Sequence, residues 1–351
     1  MLSRRNFLKK TLGAGIIFGQ AGLLLDSISG KNAMAEPNLS GYKYGYIDPS
    51  GNIAIKPQFD SASGFQEGLA SVKIGSLWGS IDKAGNMVIS PLSDDKYYFS
   101  EGLAAAMIGE KVAFIDRKGE IVFRPEGEKG GNFSEGLASI CIKGKCGYLD
   151  RKGNQAIKPI YDEADDFSEG LAAVMAGEKY GYIDKSGSFV VAPQFDVAGN
   201  FSEGLASVSV GDKSCFIDRE GKDVLSVECD SCSGFREGLA LFFTKYGKCG
   251  FIDKSGKIVV QPEFEYAVSF SEGRTTADTG DKLILIDKTG RVIEMPNCER
   301  EPAPFSDGLS CVIIDEKYGY IDRSGKIAIP AQFKIAGSFS EGLAAVQLYN
   351  R

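Results

Sequence analysis

Apolar and polar residues alternate with a period of two along short segments of this chain. Residues 69–72 (LASV) and 44–47 (YGYI) are two such segments, and this period is typical of half-buried β-strands. Residues 53–55 predict a third strand, which we expect Pro57 to end because proline cannot donate to a strand ladder. The connector 59–62 predicts a fourth and innermost strand.

This set of strands recurs along the chain. An Ile-Asp or Leu-Asp pair, followed three residues later by glycine, returns every 34 or 35 residues, and its aspartates are Asp48, Asp82, Asp116, Asp150, Asp184, Asp218, Asp253, Asp287 and Asp322. A second marker, Phe-x-Glu-Gly-Leu-Ala, has the same period, and its acidic residues are Glu67, Glu101, Glu135, Glu169, Glu203, Glu237, Glu272, Asp307 and Glu341. Two markers that share one period predict nine copies of a unit of about 34 residues.

The recurring residues have structural interpretations. Each aspartate can cap a type I turn while the glycine takes the positive φ, and each glutamate can bind backbone amides where a strand begins. A calcium loop would need several acidic oxygens in one short segment, so we interpret these carboxylates as structural. The phenylalanine that recurs once per unit is expected to pack successive units together.

The two ends of the chain bear on how the units assemble. The chain enters at the strand 44–47 and leaves at the strand 343–346, so the last copy lacks a strand that the first copy supplies. This favours an all-β, propeller-like closed ring, because closure removes exposed sheet edges. An open β-superhelix, which would need polar end caps, is the alternative. Either way, residues 40–351 form a single domain of nine units.

The first 35 residues have the three parts of a cleavable signal. Basic residues that include Arg4 and Arg5 open the chain, an apolar run spans 12–25, and Ala33-Met34-Ala35 precedes Glu36. The apolar run is too short and too interrupted for a membrane span. The opening SRRNFLK resembles the twin-arginine export motif. This resemblance implies cleavage after Ala35, the twin-arginine translocase as a partner during export, and a periplasmic or extracellular location.

The amino-acid composition argues against several classes of function for this chain. The chain has no histidine, which excludes Ser-His-Asp and Cys-His catalytic arrangements within it. Beyond residue 35 it has 35 basic and 46 acidic residues, a formal charge of −11. A surface this acidic argues against nucleic acid and against anionic lipid as partners.

The eight cysteines leave three interpretations open. Cys141 and Cys146 face each other across a predicted hairpin and are the disulfide candidates. Cys215, Cys229, Cys232 and Cys249 are weak metal candidates, since the C-x-x-C of residues 229–232 lacks a partner pair. The third interpretation is core thiols, because Cys229 and Cys232 stand where other units have Phe and Ala.

The repeating unit resembles that of the WG-repeat family of bacterial proteins, and the resemblance covers about residues 40 to 351. Residues 179–184 (KYGYID) and 201–208 (FSEGLASV) follow the family pattern closely, and the Trp-Gly pair itself occurs at Trp78-Gly79. Tyr44, Tyr180 and Tyr318 hold the tryptophan position elsewhere, whereas Cys146 and Cys249 depart from the pattern. The resemblance implies a β-rich binding or scaffolding array with no shared reaction.

The function we infer from the sequence is an exported, non-enzymatic binding or scaffolding module without a cofactor. Ring and superhelix both offer broad concave surfaces lined by equivalent positions. The expected ligand is a protein, with a glycan as the lesser choice. An envelope enzyme or metal-binding protein on a propeller is one alternative, and a structural spacer is another.

Overall fold

A computed structural model describes residues 42–348 of the chain, apart from residues 128 and 228. Every regular element in these residues is a β-strand, and 34 strands form nine sheets. Seven sheets have four strands and two have three. The predicted all-β fold, with its repeat of about 34 residues, is therefore confirmed.

The strands follow one another with short connections. In chain order they are β1 (Tyr44–Ile47), β2 (Ile53–Phe59), β3 (Ser61–Ala62), β4 (Leu69–Ile74), β5 (Leu77–Asp82), β6 (Met87–Ser93), β7 (Leu103–Met107), β8 (Val112–Asp116), β9 (Ile121–Phe123), β10 (Lys129–Ser134), β11 (Leu137–Ile142), β12 (Lys145–Asp150), β13 (Gln155–Tyr161), β14 (Glu163–Ala164), β15 (Ala172–Ala176), β16 (Lys179–Ile183), β17 (Phe189–Phe195), β18 (Val197–Ala198), β19 (Ala206–Val210), β20 (Lys213–Ile217), β21 (Asp223–Val227), β22 (Ser231–Cys232), β23 (Leu239–Phe243), β24 (Cys249–Asp253), β25 (Ile258–Phe264), β26 (Tyr266–Ala267), β27 (Arg274–Asp278), β28 (Leu283–Asp287), β29 (Val292–Ile293), β30 (Leu309–Ile314), β31 (Lys317–Asp322), β32 (Ile327–Phe333), β33 (Ile335–Ala336) and β34 (Ala344–Gln347).

The first and last of these strands pair with each other. β1 lies between β2 and β34 in a sheet of order β2-β1-β34-β33, with Gly45 opposite Val346. One sheet is thus built from both ends of the described chain, and the nine sheets are the blades of a closed β-propeller. The closed ring is confirmed, and the open superhelix considered as its alternative is wrong.

Most four-stranded blades run from a short edge strand to a long edge strand. In the blade β3-β4-β5-β6 the short strand is β3 and the long one is β6. We number the strands of a blade first to fourth in this order. The chain passes from the fourth strand of one blade to the first strand of the next with little between them, as at Asp60 between β2 and β3. The predicted strand in the connector 59–62 is therefore present at Ser61 and Ala62.

The Phe-x-Glu-Gly segments form the inner rim of the ring. The hydroxyl of Ser202 donates to the backbone carbonyl of Phe235, one unit further along, at 2.7 Å. Ser340 reaches the carbonyl of Phe65 in the same way across the closure. Because the spacing of equivalent points in a ring grows with their distance from the axis, direct bonds between equivalent segments place them near its centre.

The core lies between successive blades as nine separate clusters. In one of them Tyr46 and Phe59 of one blade pack on Phe65 of the next, and the rings of Tyr46 and Phe65 are 5.0 Å apart. Tyr182 and Phe201 repeat this contact at 4.9 Å. The recurring phenylalanine therefore packs successive blades together, as predicted, and each aromatic pair adds about 0.5–1.5 kcal/mol beyond the area it buries.

The recurring proline lies within the fourth strand and does not end it. β2 continues through Pro57 to Phe59, so the prediction that Pro57 ends the strand was wrong. The strand lies at the edge of its sheet and its pairing with β1 shifts register here, so the missing N–H costs no ladder bond. Gly45 of β1 lies against this bulge, where a Cβ would meet the backbone of Ile55 and Pro57.

Candidate functional site

The nine repeating aspartates cap the turns between third and fourth strands. Oδ1 of Asp184 accepts the backbone N–H groups of Ser186 and Ser188 at 2.8 and 3.1 Å, and the Gly187 amide donates to the Asp184 carbonyl. The Ser186 hydroxyl, together with these amides, holds the pKa of Asp184 below its ordinary value. The carboxylate is engaged within its own turn, which is the structural role expected from its repetition.

The Glu-Gly pair of each unit makes a tight turn at the inner rim. Glu203 and Gly204 have φ angles of 54° and 88°, and Ser202 pairs with Leu205 on either side of them. Two successive positive φ angles are what a two-residue type I′ hairpin requires. A non-glycine residue in this conformation costs about 1 kcal/mol, so a compensating role for the glutamate is expected.

That role is a bond to the next blade. Glu203 accepts the amide of Gly238 and pairs with the Lys254 ammonium, each at 3.1 Å. The same carboxylate–amide bond occurs nine times, at 2.7 to 3.1 Å, and joins Glu341 to Gly68, Glu67 to Gly102, Glu101 to Gly136, Glu135 to Gly170, Glu169 to Gly204, Glu203 to Gly238, Glu237 to Gly273, Glu272 to Gly308 and Asp307 to Gly342. The second repeating set of carboxylates therefore holds the ring together.

Two places carry carboxyl groups that do not repeat along the ring and whose pKa values are raised. Burial raises the pKa of Asp165 to about 7, with a further contribution from Asp166, and burial also raises the pKa of Asp166. In the long connector between β29 and β30, burial and the nearby Asp278 raise the pKa of Glu301 to about 7. These groups lie in different blades, and we assign them no shared chemistry.

The structure joins Cys141 and Cys146 in a disulfide across the hairpin of β11 and β12. Their Cα atoms are 4.0 Å apart, and the two residues stand directly opposite each other in the ladder. This is the pairing that their positions in the sequence favour. The other six cysteines are free thiols in the structure.

The four weak metal candidates are not gathered at one point. The sulfur atoms of Cys229 and Cys232 are 2.7 Å apart, whereas Cys249 belongs to the core cluster of another blade junction and Cys215 packs against a third. Among the residues described, no group of three or more cysteine, aspartate or glutamate side chains is arranged to hold a metal ion.

A band of exposed apolar side chains follows the beginnings of the fourth strands, at the fifth and sixth residues after each turn aspartate. Their exposed fractions run from 40% to 56%. In five units the residue that comes next, such as Ile55 or Val191, is buried. We call this band the fourth-strand belt; it consists of Ile53, Met87, Val88, Ile121, Val122, Phe189, Val190, Val224, Ile258, Val292 and Ile327.

Eight of the nine units contribute to the fourth-strand belt. The exception is the unit of Asp150, which has Gln155 and Ala156 at these positions. Reasoning from the sequence missed the belt because an apolar strand residue is expected to be buried. The available signal is the adjacent apolar pair, as in Met87-Val88, since two neighbours on a strand face opposite sides and cannot both enter one core.

Several solved structures are similar to this chain at low sequence identity. A eukaryotic initiation factor is 12% identical, with 87% of this chain and 98% of that chain covered and a TM-score of 0.58. BamB from Moraxella catarrhalis is 13% identical, covering 83% and 99% with a TM-score of 0.41. Dihydro-heme d1 dehydrogenase NirN, in complex with DHE, is 13% identical, covering 72% of each chain with a TM-score of 0.42. At these identities the likeness concerns the fold alone.

The model of the WG containing repeat matches the chain over eight segments, residues 44–78, 78–111, 113–146, 147–180, 180–213, 216–249, 250–282 and 318–351. The unmatched stretch 283–317 holds β28, β29, the long connector and β30. No curated protein sequence matched the chain. In the part of the chain that the structure describes, no helix has the length and apolar character needed to cross a bilayer. The matches cover most of the sequence, and the chain belongs to the WG containing repeat family.

Proposed function

We propose that this chain is an exported, non-enzymatic binding module whose fourth-strand belt contacts a protein partner. The observation that carries the proposal is the belt itself: eight units expose a large apolar side chain at equivalent positions. Exposed apolar residues in a contiguous arrangement are typical of interaction surfaces. A closed ring of rigid blades presents them in a fixed spacing, which suits a scaffold.

The fourth strands favour contact through side chains over extension of the sheet. Pro57, Pro91, Pro125, Pro159, Pro193 and Pro262 stand in equivalent places along these edge strands or, for Pro125, just after one. A proline removes a backbone donor and blocks the addition of a further strand. A partner would therefore bind the aliphatic side chains of the belt.

The charge of the chain and the composition of the belt limit the classes of molecule that could be its partner. The formal charge of −11 beyond residue 35 disfavours nucleic acid and anionic lipid. Aliphatic residues dominate the belt, and Phe189 is its single aromatic member. Aliphatic side chains suit the apolar core of a protein–protein interface, whereas a glycan presents hydroxyl groups that they cannot satisfy. A protein is the partner we propose.

The proposed place of action is outside the cytoplasm. The signal with Arg4, Arg5 and a cleavage site after Ala35 lies outside the described residues, and supports export through the twin-arginine translocase. Cleavage there would leave residues 40–351 as the single folded domain. The periplasm and the extracellular space both remain compatible with this route.

The test compares belt variants in the exported protein. The substitutions M87S, V88S, I121S and V122S remove the belt from two adjacent units, and Q155S with A156S alters the same positions in the unit that lacks it. Tagged chains are chemically cross-linked in the exported fraction, and co-purified proteins are quantified by mass spectrometry.

We expect the four-residue variant to lose partners that the wild type and the Q155S/A156S control both retain, while its thermal melting stays cooperative. Equal recovery of the same proteins by all three chains would contradict a role for the belt. Binding to an oligosaccharide array without any protein partner would favour a glycan instead.

A further inference from the structure

We propose that Cys229 and Cys232 form a reversible disulfide that links two neighbouring blades. Cys229 follows β21, the fourth strand of one blade, and Cys232 ends β22, the first strand of the next. A bond between them would span the junction at the point where the chain changes sheets. This site is separate from the Cys141–Cys146 hairpin and from the fourth-strand belt, so it does not depend on the proposed binding function.

The distance between the two sulfur atoms favours a bond. Sγ of Cys229 and Sγ of Cys232 are 2.7 Å apart, well inside the roughly 3.5–4 Å at which non-bonded carbon atoms, which are smaller than sulfur, pack. A disulfide needs about 2.05 Å. A small shift of one side chain therefore closes the bond, whereas two thiols that stay reduced would have to separate.

The fold itself brings these two positions together. The equivalent residues in other blades, such as Phe195 and Ala198, share one core cluster, and so do Phe333 and Ala336. Cys229 and Cys232 likewise share one cluster, with exposed fractions of 1% and 7%. The contact between these two positions is thus a general feature of the blade junctions. In this unit, both positions are occupied by cysteine.

The unit of β29 provides a natural contrast. Cys298 occupies the position equivalent to Cys229. Pro302 occupies the position equivalent to Cys232, because it precedes Phe305 by three residues as Cys232 precedes Phe235, and the amide that follows it bonds to the second strand in the same way. Cys298 is also buried, and its sulfur contacts the carbonyl of Pro296 at 3.3 Å. A single thiol at this position has no second thiol across the junction, so Cys298 is an internal control with similar burial.

The reaction is a thiol–disulfide exchange with a low-molecular-weight disulfide as the oxidant. The hydrogen bond with Cys232 lowers the pKa of the Cys229 thiol and raises that of Cys232, so Cys229 is the group that loses its proton first. Its thiolate attacks the external disulfide, forms a mixed disulfide and releases one thiolate, which takes up a proton. Cys232, once deprotonated, attacks Sγ of Cys229 and releases the second thiol. Two protein thiols are oxidised and one disulfide is reduced to two thiols.

Because both sulfur atoms are buried, the exchange requires local opening of the junction. We therefore expect oxidation in the folded chain to be slow and to accelerate under mild denaturant. Once formed, the bond should restrict the relative movement of the blades β18–β21 and β22–β25.

The test is differential alkylation of the exported protein. The chain is denatured in iodoacetamide, digested with trypsin, and compared with a sample that is reduced first. Both cysteines fall in one tryptic peptide, residues 223–236, and Cys298 falls in another, residues 292–300. We expect the 223–236 peptide to be unlabelled and lighter by two hydrogens until it is reduced, while the 292–300 peptide is labelled in both samples.

Full labelling of Cys229 and Cys232 without prior reduction, both in the exported protein and after incubation of the purified chain with glutathione disulfide in mild denaturant, would overturn the proposal. A second variant, C229F with C232A, restores the residues found at Phe195 and Ala198. Its melting temperature should not change on treatment with oxidant, whereas that of the wild type should rise. An equal rise in both chains would likewise overturn it.

Discussion

The carboxylate of Glu341 accepts the backbone amide of Gly68 at 3.0 Å, although 273 residues separate them in the sequence. Glu341 also pairs with the Lys83 ammonium at 3.0 Å. These are the contacts that Glu203 makes with Gly238 and Lys254 inside the ring. The junction that closes the ring therefore has the same bonds as a junction between consecutive units.

This equivalence predicts that removing the glutamate lowers the free energy of unfolding by the same amount at the two junctions. Replacing Glu341 by alanine leaves the Gly68 amide without its acceptor and should lower the free energy of unfolding by about 1 kcal/mol. Glu203→Ala should cost a similar amount, because the two glutamates have nearly equal exposed fractions, 32% and 30%. Urea denaturation of the full chain measures both values.

The comparison between these variants tests closure in solution. In an open arrangement Glu341 would have no partner, and its substitution would change the unfolding midpoint much less than Glu203→Ala. Glu220→Gln serves as the control for the loss of a charge, because Glu220 lies on an exposed turn.

Acid should weaken the ring through Glu135 and Glu237, two of the rim carboxylates whose pKa values are lowered. Burial alone would raise the pKa of Glu237, but Lys288 and the Gly273 amide outweigh it and hold the pKa below its ordinary 4.5. A group whose pKa is lower in the folded state contributes stability above its unfolded pKa and loses it as pH falls through the folded value. The contribution of Glu237 to the urea midpoint should therefore be constant from neutral pH down to about pH 5 and then fall. The raised pKa values of Asp165 and Glu301 give the opposite dependence below about pH 7, so the contribution is measured as the difference between the wild type and Glu237→Gln. Glu237→Gln should reduce this fall, and an unchanged acid profile would contradict the assignment.

The glycine of the Trp-Gly signature should tolerate no side chain. A Cβ on Gly181 would lie 2.6 Å from the carbonyl oxygen of Val191 and 2.7 Å from the nitrogen of Pro193. Both atoms belong to the backbone of the fourth strand, so Gly181→Ala must displace it and should cost about 1–3 kcal/mol in unfolding free energy.

Gly234→Ala is the matched control for this substitution. A Cβ on Gly234 would lie 3.8 Å from Cβ of Ser202, an ordinary contact, and thermal melting should change by far less than for Gly181→Ala. Similar losses in both variants would show that the bulge at Pro193 is not the cause.

Most of the architecture was predictable because the repeating sequence pattern contains the information on strands, unit number and closure. The period of two gives the strands, the shared period of the two markers gives nine units, and the phase of the chain ends favours closure. The register at the rim was not predictable in the same way. That Glu203 binds the amide of the following unit depends on how closely successive blades approach, which is a property of the closed ring and not of one unit.

Pro57 and the fourth-strand belt show which structural details could not be predicted from this one sequence. Pro57 was expected to end a strand, yet an edge strand with a bulge accommodates it because no partner needs its N–H. An apolar strand residue such as Val88 suits a core by its character, yet Val88 is exposed near the beginning of its strand. In both cases the deciding factor is which side of a strand has a neighbour, and only the assembled blade determines that.

The export signal yields the last prediction. If Arg4 and Arg5 are read by the twin-arginine translocase, replacing both by lysine keeps the positive charge and still abolishes export, because the receptor recognises the arginine pair and not charge alone. Replacing Lys9 and Lys10 by arginine is the control and should leave export unchanged. Immunoblots of cytoplasmic and exported fractions measure both variants, and the exported chain should begin at Glu36. Normal export of the Arg4→Lys, Arg5→Lys variant would contradict the twin-arginine route and leave a general secretory signal as the interpretation of residues 1–35.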